Sequence, residues 1–318
     1  DRGEPSTASQ PAMPSVLVLA PTRELIQQIA SDVAHLAISI GRRFVPCFGG
    51  VGKVPQLKQL DKGCDILLST PGRLKDFMHG DSKKGTTPAA DCSKVSYLVL
   101  DEADAMIAMG FMPQVRDIVR ACLKTGKPAQ GGGAAGPSAG IARQTLFFTA
   151  TWPRRVISAA TELTSSDTVQ LRIGQGVGED KLTANQNVRQ VVQMVEPKDK
   201  LPRLENVLTS ELKQGDTCLV FCSTKNRADF VVESLRKSKI VDWCDGIHSG
   251  KEQWLRDKIL QKFRTHTANS DRRAVLVATD VAARGIDIPG VGLVVVYDLN
   301  GPHGELNTDY YVHRIGRT

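Results

Sequence analysis

The sequence has no long apolar run: none of its hydrophobic segments approaches the about 20 residues that a membrane-spanning helix needs. The N-terminal residues, Asp1 to Ser15, are polar and small, and they lack the apolar core of a signal peptide. These two absences give no indication of insertion into a membrane or of secretion. We therefore expect an intracellular protein with no membrane partner.

Cysteine pairs of the kind that bind zinc or form a disulfide framework are also lacking. Cys218 and Cys222 follow a C-x3-C spacing in an apolar run, and no second pair completes a four-ligand zinc site. The chain has seven cysteines, an odd number, and most lie in or beside apolar runs. We interpret them as reduced side chains that pack in the interior of an intracellular protein.

The composition is that of a globular protein, since 41% of the 318 residues are hydrophobic and 24% are charged. A chain of this length is expected to form two domains. Its formal net charge of +7 favours an anionic partner. Many unrelated proteins are equally basic, so charge alone does not identify nucleic acid as that partner.

Short apolar runs alternate with amphipathic segments along the whole chain. The runs predict buried strands at Val16–Ala20, Phe44–Phe48, Asp65–Ser69, Tyr97–Leu100, Thr145–Thr149, Val169–Ile173, Val191–Val195, Cys218–Phe221, Trp243–Ile247, Ala274–Ala278 and Leu293–Tyr297. Helical patterns predict helices at Arg23–Ser39, Arg73–Met78, Met112–Leu123, Pro153–Glu162, Lys200–Leu212, Arg227–Ser238 and Gln253–Phe263. Repeated strand–helix units form parallel sheets with helices on both faces, so the predicted fold class is α/β.

Two segments without apolar periodicity divide this pattern. Residues 174–187 carry Gly, Asp and Asn, and we interpret them as a linker between domains at 1–173 and 188–318. Residues 127–140 are rich in Gly, Ala, Pro and Ser. They are predicted to be a disordered surface insertion in the first domain, without a catalytic role.

The acidic tetrapeptide Asp101-Glu102-Ala103-Asp104 directly follows the predicted strand Tyr97–Leu100. The carboxyl end of a parallel strand is where open α/β sheets place their ligands. In a functional interpretation, Asp101 holds Mg²⁺, mostly through water, and Glu102 polarises an attacking water. In the alternative interpretation, the carboxylates form a solvated turn at a helix start, where they suit the helix dipole.

Two turns share the pattern of a strand followed by Thr-Pro and an arginine. They are Pro21-Thr22-Arg23 after the first strand and Thr70-Pro71-Gly72-Arg73 after the third, and the pair Gly49-Gly50 lies between them in the sequence. Each turn has the residues of a good helix start, and a helix start would be the simpler explanation if only one such turn were present. Together they predict a row of loops whose backbone N–H groups, hydroxyls and arginines face a nucleic-acid backbone.

Three further runs carry candidate chemistry. Thr149-Ala150-Thr151 closes a predicted strand with hydroxyls that can link the acidic site to neighbouring loops. The run 278–289 places two acids, an arginine and a glycine in a turn after a buried strand. Arg314 and Arg317 are three positions apart and predict one helical face that can reach a γ-phosphate, although most short arginine pairs belong to a solvated basic tail.

Taken in order, these runs resemble the motifs of the DEAD-box RNA helicases, a family within helicase superfamily 2, over roughly Val16 to Thr318. The resemblance implies two RecA-like domains, ATP and Mg²⁺ as cofactors, RNA as the main partner, and ATP hydrolysis coupled to local RNA unwinding or remodelling of RNA–protein complexes. Contacts to the RNA backbone imply little sequence specificity. The alternative is a non-catalytic RNA-binding or scaffold protein.

The resemblance also assigns roles to single residues. It implies catalytic roles for Asp101, Glu102, His313, Arg314 and Arg317, with Asp101 as the Mg²⁺ ligand. It implies nucleotide contacts for Gly285 and Asp287. It implies RNA contacts for Thr22, Arg23, Gly49, Gly50, Thr70, Gly72, Arg73, Thr224, Gln253, Arg256 and Thr279. It implies that hydrolysis is coupled to domain movement by Asp104, Thr149, Thr151, Asp280 and Arg284.

The main departure from the family pattern is that the sequence has no phosphate loop of the form G-x-x-x-x-G-K-[ST]. Gly52-Lys53 looks similar, but Val54 follows where Ser or Thr is needed, and Cys47 stands where the first glycine is needed. The last motif also stops at Thr318. We therefore expect a fragment of a longer helicase that binds and hydrolyses ATP poorly by itself.

Two runs, Thr149–Pro153 and Leu182–Asn185, resemble the p68-like branch of the family, which includes nucleolar ribosome-assembly helicases. This resemblance implies a location in the nucleus or nucleolus and protein partners in a ribonucleoprotein particle.

Overall fold

The computed structural model describes residues 10–80, 87–122, 142–173, 188–269, 272–280, 288, 290–299 and 308–316. The chain divides into two compact units, Asp1–Ile173 and Gly174–Thr318. The predicted insertion at 127–140 and the predicted linker at 174–187 lie outside the described residues. None of the helices in the described part combines the length and the apolar character needed to cross a membrane.

The first unit is built on a parallel sheet of five strands. The strands are β1 Val16–Leu19, β2 Phe44–Cys47, β3 Ile66–Ser69, β4 Tyr97–Leu100 and β5 Gln144–Phe147. Their spatial order is β2-β3-β1-β4-β5, and every neighbouring pair is parallel. All carboxyl ends therefore lie along one edge of the sheet.

Helices cover both faces of this sheet. They are α1 Arg23–Ser39, α2 Lys53–Leu60, α3 Pro71–His79, α4 Ala103–Ala108, α5 Met112–Ala121 and α6 Arg154–Leu163. Alternate residues of β1 divide between two apolar clusters, with Leu17 and Leu19 in one and Val18 in the other. Successive side chains of a strand point to opposite faces, so both faces of the sheet are buried.

The second unit has a parallel sheet of four strands, β6 Thr217–Cys222, β7 Trp243–Ile247, β8 Ala274–Thr279 and β9 Leu293–Val296, in the order β7-β8-β6-β9. Its helices are α7 Lys200–Glu211, α8 Lys225–Ser238, α9 Gln253–Asn269 and α10 Thr308–Ile315. Residues of α7 and α8 pack in one apolar cluster and residues of α9 in another, so these helices cover opposite faces.

The predicted α/β class with parallel sheets is confirmed, but two predicted strands are wrong. Val169–Ile173 and Val191–Val195 carry no strand, and Val169, Leu171 and Ile173 are 87%, 81% and 93% exposed. Both segments have the apolar content of a strand. A strand also needs a neighbour that accepts and donates backbone hydrogen bonds, and the apolar pattern of one segment does not reveal that neighbour.

Two helices, α2 and α4, were not predicted from the sequence. In α2, Pro55 lies in the first turn, where a missing N–H costs nothing, and Leu57 and Leu60 supply the apolar side. The helix α2 was not predicted because the glycines before it were interpreted only as a binding loop. All seven cysteines are free, and six of them are buried.

Candidate functional site

The strand order of the first unit sorts the predicted site residues into two groups. The strands β2, β3 and β1 are neighbours, and the loops that follow them carry Gly49-Gly50, Thr70–Arg73 and Thr22-Arg23. The strands β4 and β5 are neighbours at the other side, and they lead into the acidic turn and the Thr149–Thr151 turn. The sheet therefore brings together residues that are far apart in the sequence.

Specific contacts hold the three loops of the first group together. The N–H of Thr70 donates to the carbonyl oxygen of Cys47 at 3.1 Å, which joins the loops after β3 and β2. The guanidinium of Arg23 lies 5.0 Å from the centroid of the Phe48 ring, which joins the loops after β1 and β2. Gly50 has φ +77°, in the left-handed region that favours glycine, so this turn depends on that residue type.

Arg73 is a buried member of this group rather than an exposed one. Its side chain is 8% exposed, and its Nη2 donates to the carbonyl oxygen of Val51 at 3.0 Å. Burial lowers the pKa of the guanidinium, although the neighbouring Asp76 acts in the opposite direction. Its Nη1 is buried and has no hydrogen-bond acceptor among the described residues. Arg73 therefore fixes the glycine loop and retains one donor for an anionic group.

The threonines of the first group are also buried. Thr22 is 6% exposed, and its Oγ1 accepts a hydrogen bond from the N–H of Leu25 at 3.3 Å, which starts α1. Thr70 is 9% exposed and precedes Pro71, the first residue of α3. Thr22 thus caps α1 through its side chain, whereas Thr70 makes no side-chain capping hydrogen bond and α3 begins at Pro71. Backbone N–H groups at helix starts are suited to bind anions.

The acidic turn begins with a backbone conformation that is rare for glutamate. Glu102 has φ 47° and ψ 52°, which is the left-handed conformation. Residues held there cost of order 1–3 kcal/mol and cluster at functional sites. The N–H of Glu102 donates to Oδ1 of Asp101 at 2.9 Å. This turn places the two carboxylates directly beyond the end of β4.

The carboxyl group of Asp101 has a raised pKa. Burial raises the pKa of its carboxyl group, the N–H of Glu102 lowers it, and the negative charge of Asp104 raises it further. The net direction is upward, so a cation beside Asp101 would stabilise the charged form.

The donor set at this turn fits a water-rich Mg²⁺ ion. Among the described residues, no group of three or more His, Cys, Asp or Glu side chains is arranged to hold a metal ion. Magnesium commonly binds through one or two carboxylates and keeps several waters. Asp101 can therefore supply the direct or water-mediated carboxylate contact.

Asp104 joins the acidic turn to the turn after β5. Its Oδ2 accepts hydrogen bonds from the N–H of Thr151 at 3.0 Å and from the Oγ1 of Thr151 at 2.6 Å. Both side chains are 2% exposed. The Oγ1 of Thr149 donates to the carbonyl oxygen of Thr151 at 2.9 Å. These hydrogen bonds tie the acidic turn to the turn after β5.

In the second unit, two of the loops at the carboxyl edge lie against each other. Thr224 starts α8, and its Oγ1 accepts from the N–H of Arg227 at 3.3 Å. A Cβ atom on Gly250, in the turn before α9, would lie 3.4 Å from Cδ of Lys225. The loops after β6 and β7 therefore meet at this edge of the sheet.

The start of α9 is tied by side-chain hydrogen bonds. Nη1 of Arg256 donates to Oε1 of Gln253 at 2.9 Å, and Nε2 of Gln253 donates to Oδ1 of Asp257 at 3.0 Å. This geometry brings the predicted pair Gln253 and Arg256 together on one turn of the helix.

Arg314 is held by hydrogen bonds inside the second unit. Its Nε and Nη2 donate to the two carboxylate oxygens of Asp280 at 2.7 and 2.6 Å, and the side chains are 1% and 4% exposed. Its Nη1 donates to the carbonyl oxygen of Asp298 at 2.6 Å. Arg314 is therefore held in a buried ion pair inside the second unit. Its catalytic role stays a prediction.

A polar cluster missed by the sequence analysis supports Arg314. Asp298 binds Lys200 Nζ through Oδ1 at 2.8 Å and the N–H and Oγ of Ser223 through Oδ2 at 3.2 Å each. Burial by itself would raise the pKa of Asp298, but these donors outweigh burial and the pKa is lowered. An acid just beyond a predicted strand was the available signal for Asp298, as it was for Asp101.

Some predicted residues cannot be placed against these groups. Arg284, Gly285, Asp287 and Arg317 lie outside the described residues. Thr279 ends β8 and is 8% exposed, and His313 lies in α10. The catalytic role of His313 stays a prediction.

Two family models match the chain. The model described as DEAD/DEAH box helicase matches residues 6–159, and the model described as helicase conserved C-terminal domain matches residues 199–318. The boundary between the two matches falls where the structure divides the chain into two units.

Curated relatives agree with the family models. The chain is 41% identical over 305 residues to DEAD-box ATP-dependent RNA helicase 40 of Oryza sativa subsp. japonica, covering 96% of this chain and 33% of that protein. It is 39% identical over 307 residues to ATP-dependent RNA helicase DBP2 of Saccharomyces cerevisiae, covering 96% of this chain and 48% of that protein. ATP-dependent RNA helicase p62 of Drosophila melanogaster is 38% identical over 308 residues, covering 96% of this chain and 37% of that protein. The chain thus spans less than half of each of these relatives.

A solved structure shares the fold. Saccharomyces cerevisiae Dbp5, bound to RNA and ADP BeF3, superposes with a TM-score of 0.67 at 24% identity, covering 98% of this chain and 70% of that one. The likeness supports the RecA-like assignment of the two α/β units and extends no further than the fold.

Proposed function

This chain belongs to the family of DEAD-box RNA helicases, and we propose that it serves RNA-stimulated ATP hydrolysis coupled to local RNA unwinding or to remodelling of RNA–protein complexes. The observation that carries the proposal is the strand order of the first unit. It places the loops suited to a nucleic-acid backbone after β2, β3 and β1, and the acidic turn after β4. This strand order supports separate positions for RNA binding and for hydrolysis along one sheet edge.

The RNA is held through its backbone. In the first unit the contacts come from Arg23, the Gly49–Gly50 turn and the helix starts at Thr22 and Thr70, with Gly72 and Arg73 in the second helix start. In the second unit they come from Thr224, Gln253, Arg256 and Thr279. Phosphate contacts carry no sequence information, so affinity depends on salt more than on sequence.

Hydrolysis is served by the acidic turn. Asp101 would hold Mg²⁺, which neutralises phosphate charge, and the carboxylate of Glu102 would orient the attacking water. Asp104, Thr149 and Thr151 link this turn to the rest of the unit through the hydrogen bonds described above. Gly285 and Asp287 are proposed to contact ATP, and Arg317 to stabilise the γ-phosphate. Asp280 and Arg284 are proposed to couple hydrolysis to movement.

The two units are proposed as the two domains of the helicase, with limits at 1–173 and 188–318. Protein partners in a ribonucleoprotein particle and a nuclear or nucleolar location are proposed from the p68-like motifs at Thr149–Pro153 and Leu182–Asn185. These proposals concern the whole protein, because this chain spans only 33% and 48% of the length of two of its relatives.

The RNA-binding part of the proposal is tested with two arginines at opposite edges of the sheet. Arg23 follows β1 at the carboxyl edge, and Arg42 precedes β2 at the other edge with a side chain that is 61% exposed. The measurement is fluorescence anisotropy of a labelled single-stranded RNA over a salt series. We expect Arg23→Ala to weaken binding and to reduce the salt slope by about 1, because one phosphate contact is lost.

The control variant Arg42→Ala should bind RNA as the unmodified protein does, because its edge of the sheet carries no predicted RNA contact. Equal losses in the two variants would contradict the assignment of the carboxyl edge and would indicate non-specific attraction to the net positive charge.

A further inference from the structure

Two buried cysteines of the first unit, Cys92 and Cys122, form a pair of thiols that the proposed function does not use. Cys92 starts the short 3₁₀ helix Cys92–Lys94, and Cys122 is the C-cap residue of α5. Both side chains belong to one apolar cluster, in which Sγ of Cys92 lies 3.8 Å from Sδ of Met78. The thiol of Cys92 is hydrogen-bonded to the sulfur of Cys122. The fold therefore brings together two sulfur atoms that are 30 positions apart in the sequence.

A guanidinium lies beside Cys122. Nη1 of Arg143 donates to the carbonyl oxygen of Val119 at 3.0 Å, and the N–H of Cys122 donates to the same oxygen at 3.2 Å. The side chain of Arg143 is 7% exposed, so its positive charge is held close to Cys122 and largely out of water. A cation in this position stabilises a thiolate, which is the reactive form of cysteine.

The two thiols of the pair have opposite charges beside them. The hydrogen bond from Cys92 and the charge of Arg143 lower the pKa of Cys122, although burial acts in the opposite direction. The hydrogen bond to Cys122, burial and the negative charge of Asp91 raise the pKa of Cys92. The side chain of Cys122 is 7% exposed and that of Cys92 is 0% exposed. Cys122 is thus the member of the pair that ionises more readily and that reaches solvent.

We propose that Cys92 and Cys122 are a redox-sensitive pair, which a hydroperoxide converts reversibly from two thiols into a disulfide. Three observations carry the proposal: the contact between the two sulfur atoms, the guanidinium of Arg143 beside Cys122, and the solvent access of Cys122. Packing alone explains two buried cysteines, whereas a cation beside one of them is a feature of reactive cysteines. The proposal does not depend on the function proposed above.

The oxidation has two steps. The thiolate of Cys122 attacks a peroxide oxygen, so that an S–O bond forms, the O–O bond breaks, and the sulfur is oxidised to a sulfenic acid. With hydrogen peroxide, the released hydroxide takes up the proton that Cys122 lost and becomes water. The sulfur of Cys92 then attacks the sulfur of Cys122, so that the S–S bond forms and the S–O bond breaks. The second hydroxide leaves with the proton of the Cys92 thiol as another water.

The position of the pair connects it with the acidic turn. Both cysteines lie at ends of helices, where the backbone adjusts more readily than inside an element, and their sulfur atoms must approach to about 2.05 Å. The loop closed by the bond contains β4, the acidic turn Asp101–Asp104, α4 and α5. A disulfide would thus fix both ends of the segment that carries the acidic turn.

The test is oxidation of the folded protein with hydrogen peroxide, followed by alkylation of the remaining thiols, proteolysis without reductant and mass spectrometry. We expect a cross-linked peptide that joins Cys92 to Cys122 and is lighter, by the mass of two hydrogen atoms, than the two reduced peptides together. Dithiothreitol should separate it. The oxidised protein should also unfold at a higher temperature than the reduced protein, because the bond constrains the unfolded chain.

Cys47 and Cys64 supply a matched control pair in the same unit. Cys64 is the one cysteine of the chain that is not buried. Burial raises the pKa of Cys47 and that of Cys64 to about 12. If exposure alone governed oxidation, Cys64 would react first. We expect Cys122 to react before Cys64 and no cross-link between Cys64 and Cys47.

Two further controls test the assigned roles and the need for the fold. Cys92→Ser leaves Cys122 without a resolving thiol, so its sulfenic acid should persist and form an adduct with dimedone. Oxidation of the unmodified protein in urea should spread the cross-links over many cysteine pairs, because the proposed pairing depends on the folded structure. Absence of the dimedone adduct at Cys122 would contradict its role as the attacking thiol.

The unmodified protein alone decides the proposal, so it stays testable even if Cys92→Ser fails to fold. A reversible Cys92–Cys122 cross-link that forms in the folded protein before Cys64 is modified would support the redox pair. Earlier oxidation of Cys64, resistance of both Cys92 and Cys122 to the peroxide, or further oxidation of Cys122 without a cross-link would overturn it. Sulfoxide at Met78 without the cross-link would also overturn it, since the peroxide would then have reached the cluster without joining the thiols.

Discussion

The buried ion pair between Arg314 and Asp280 should be indispensable to the second unit. Asp280→Ala removes two charge-assisted hydrogen bonds of 2.7 and 2.6 Å from a guanidinium that is 1% exposed, and it leaves only the carbonyl oxygen of Asp298 as a described acceptor. Breaking a buried pair by removal of one partner costs about 3–5 kcal/mol, because the remaining charge stays out of water. The expected loss is therefore a large fraction of the stability of a domain.

The assay is urea unfolding of the whole chain, monitored through the fluorescence of a tryptophan in the second unit. Trp243 supplies this signal because it is stacked on Phe263 in the core of that unit. At about 2–4 °C per kcal/mol, the same loss lowers the melting temperature by roughly 6–20 °C. Hydrogen exchange should rise first in α10, since Arg314 is the residue that ties this helix to the end of β8.

A matched control is available in the same unit. Glu233 and Lys237 form an ion pair on α8 with side chains that are 68% and 75% exposed. Solvent screens such a pair, so Glu233→Ala should leave the transition unchanged. The double variant Asp280→Leu with Arg314→Met should recover most of the loss, because it removes both buried charges. A loss below about 1 kcal/mol in Asp280→Ala would refute the reasoning, since it would show that water reaches Arg314.

Two further predictions concern the polar clusters at the sheet edges. Thr151→Val removes the 2.6 Å hydrogen bond to Asp104 and should destabilise the first unit by about 1.5–3 kcal/mol in thermal unfolding. Thr151→Ser keeps the hydroxyl and should retain this hydrogen bond. Equal stability of the Val and Ser variants would contradict the prediction. For Asp298, the folded state lowers the pKa, so its stabilising effect is present above the unfolded pKa of about 3.9 and disappears as the pH falls through the folded pKa. The stability difference between Asp298→Asn and the unmodified protein should thus be constant near neutral pH and shrink below about pH 4, and a difference that grows in acid would contradict the lowered pKa.

The sheets could be predicted from the sequence because buried parallel strands leave continuous apolar runs. Thr217–Cys222 and Ala274–Thr279 are buried at every position, and both were predicted within a residue or two. Val169–Ile173 has the same apolar content but no pairing partner, and this is why the prediction of a strand there was wrong. Pairing is a property of two segments, so one segment does not determine it.

Site residues that directly follow a strand could be predicted from the sequence. The hydrogen-bond partners of site side chains were harder to predict. Asp101 and Glu102 follow β4, and the Asp104–Thr151 link joins two motifs that were predicted to cooperate. A helical face was predicted at Arg314, but its partner Asp280 is 34 positions away in the sequence, and this partner explains why Arg314 is buried. Lys200 and Asp298, which are 98 positions apart, form their ion pair only in the folded unit.

Substitution of Glu102 tests directly whether RNA binding and hydrolysis are separate. The assay protein joins these residues to a phosphate-binding loop, and both RNA affinity and RNA-stimulated ATP turnover are measured for it and for Glu102→Gln. The substitution keeps the shape of the side chain and removes its charge, so turnover should fall by about 10²- to 10⁴-fold. RNA affinity should stay within a few-fold, because the RNA loops follow β2, β3 and β1 while Glu102 follows β4. Undiminished turnover in Glu102→Gln, or loss of RNA affinity together with turnover, would contradict the separation of the two activities along the sheet edge.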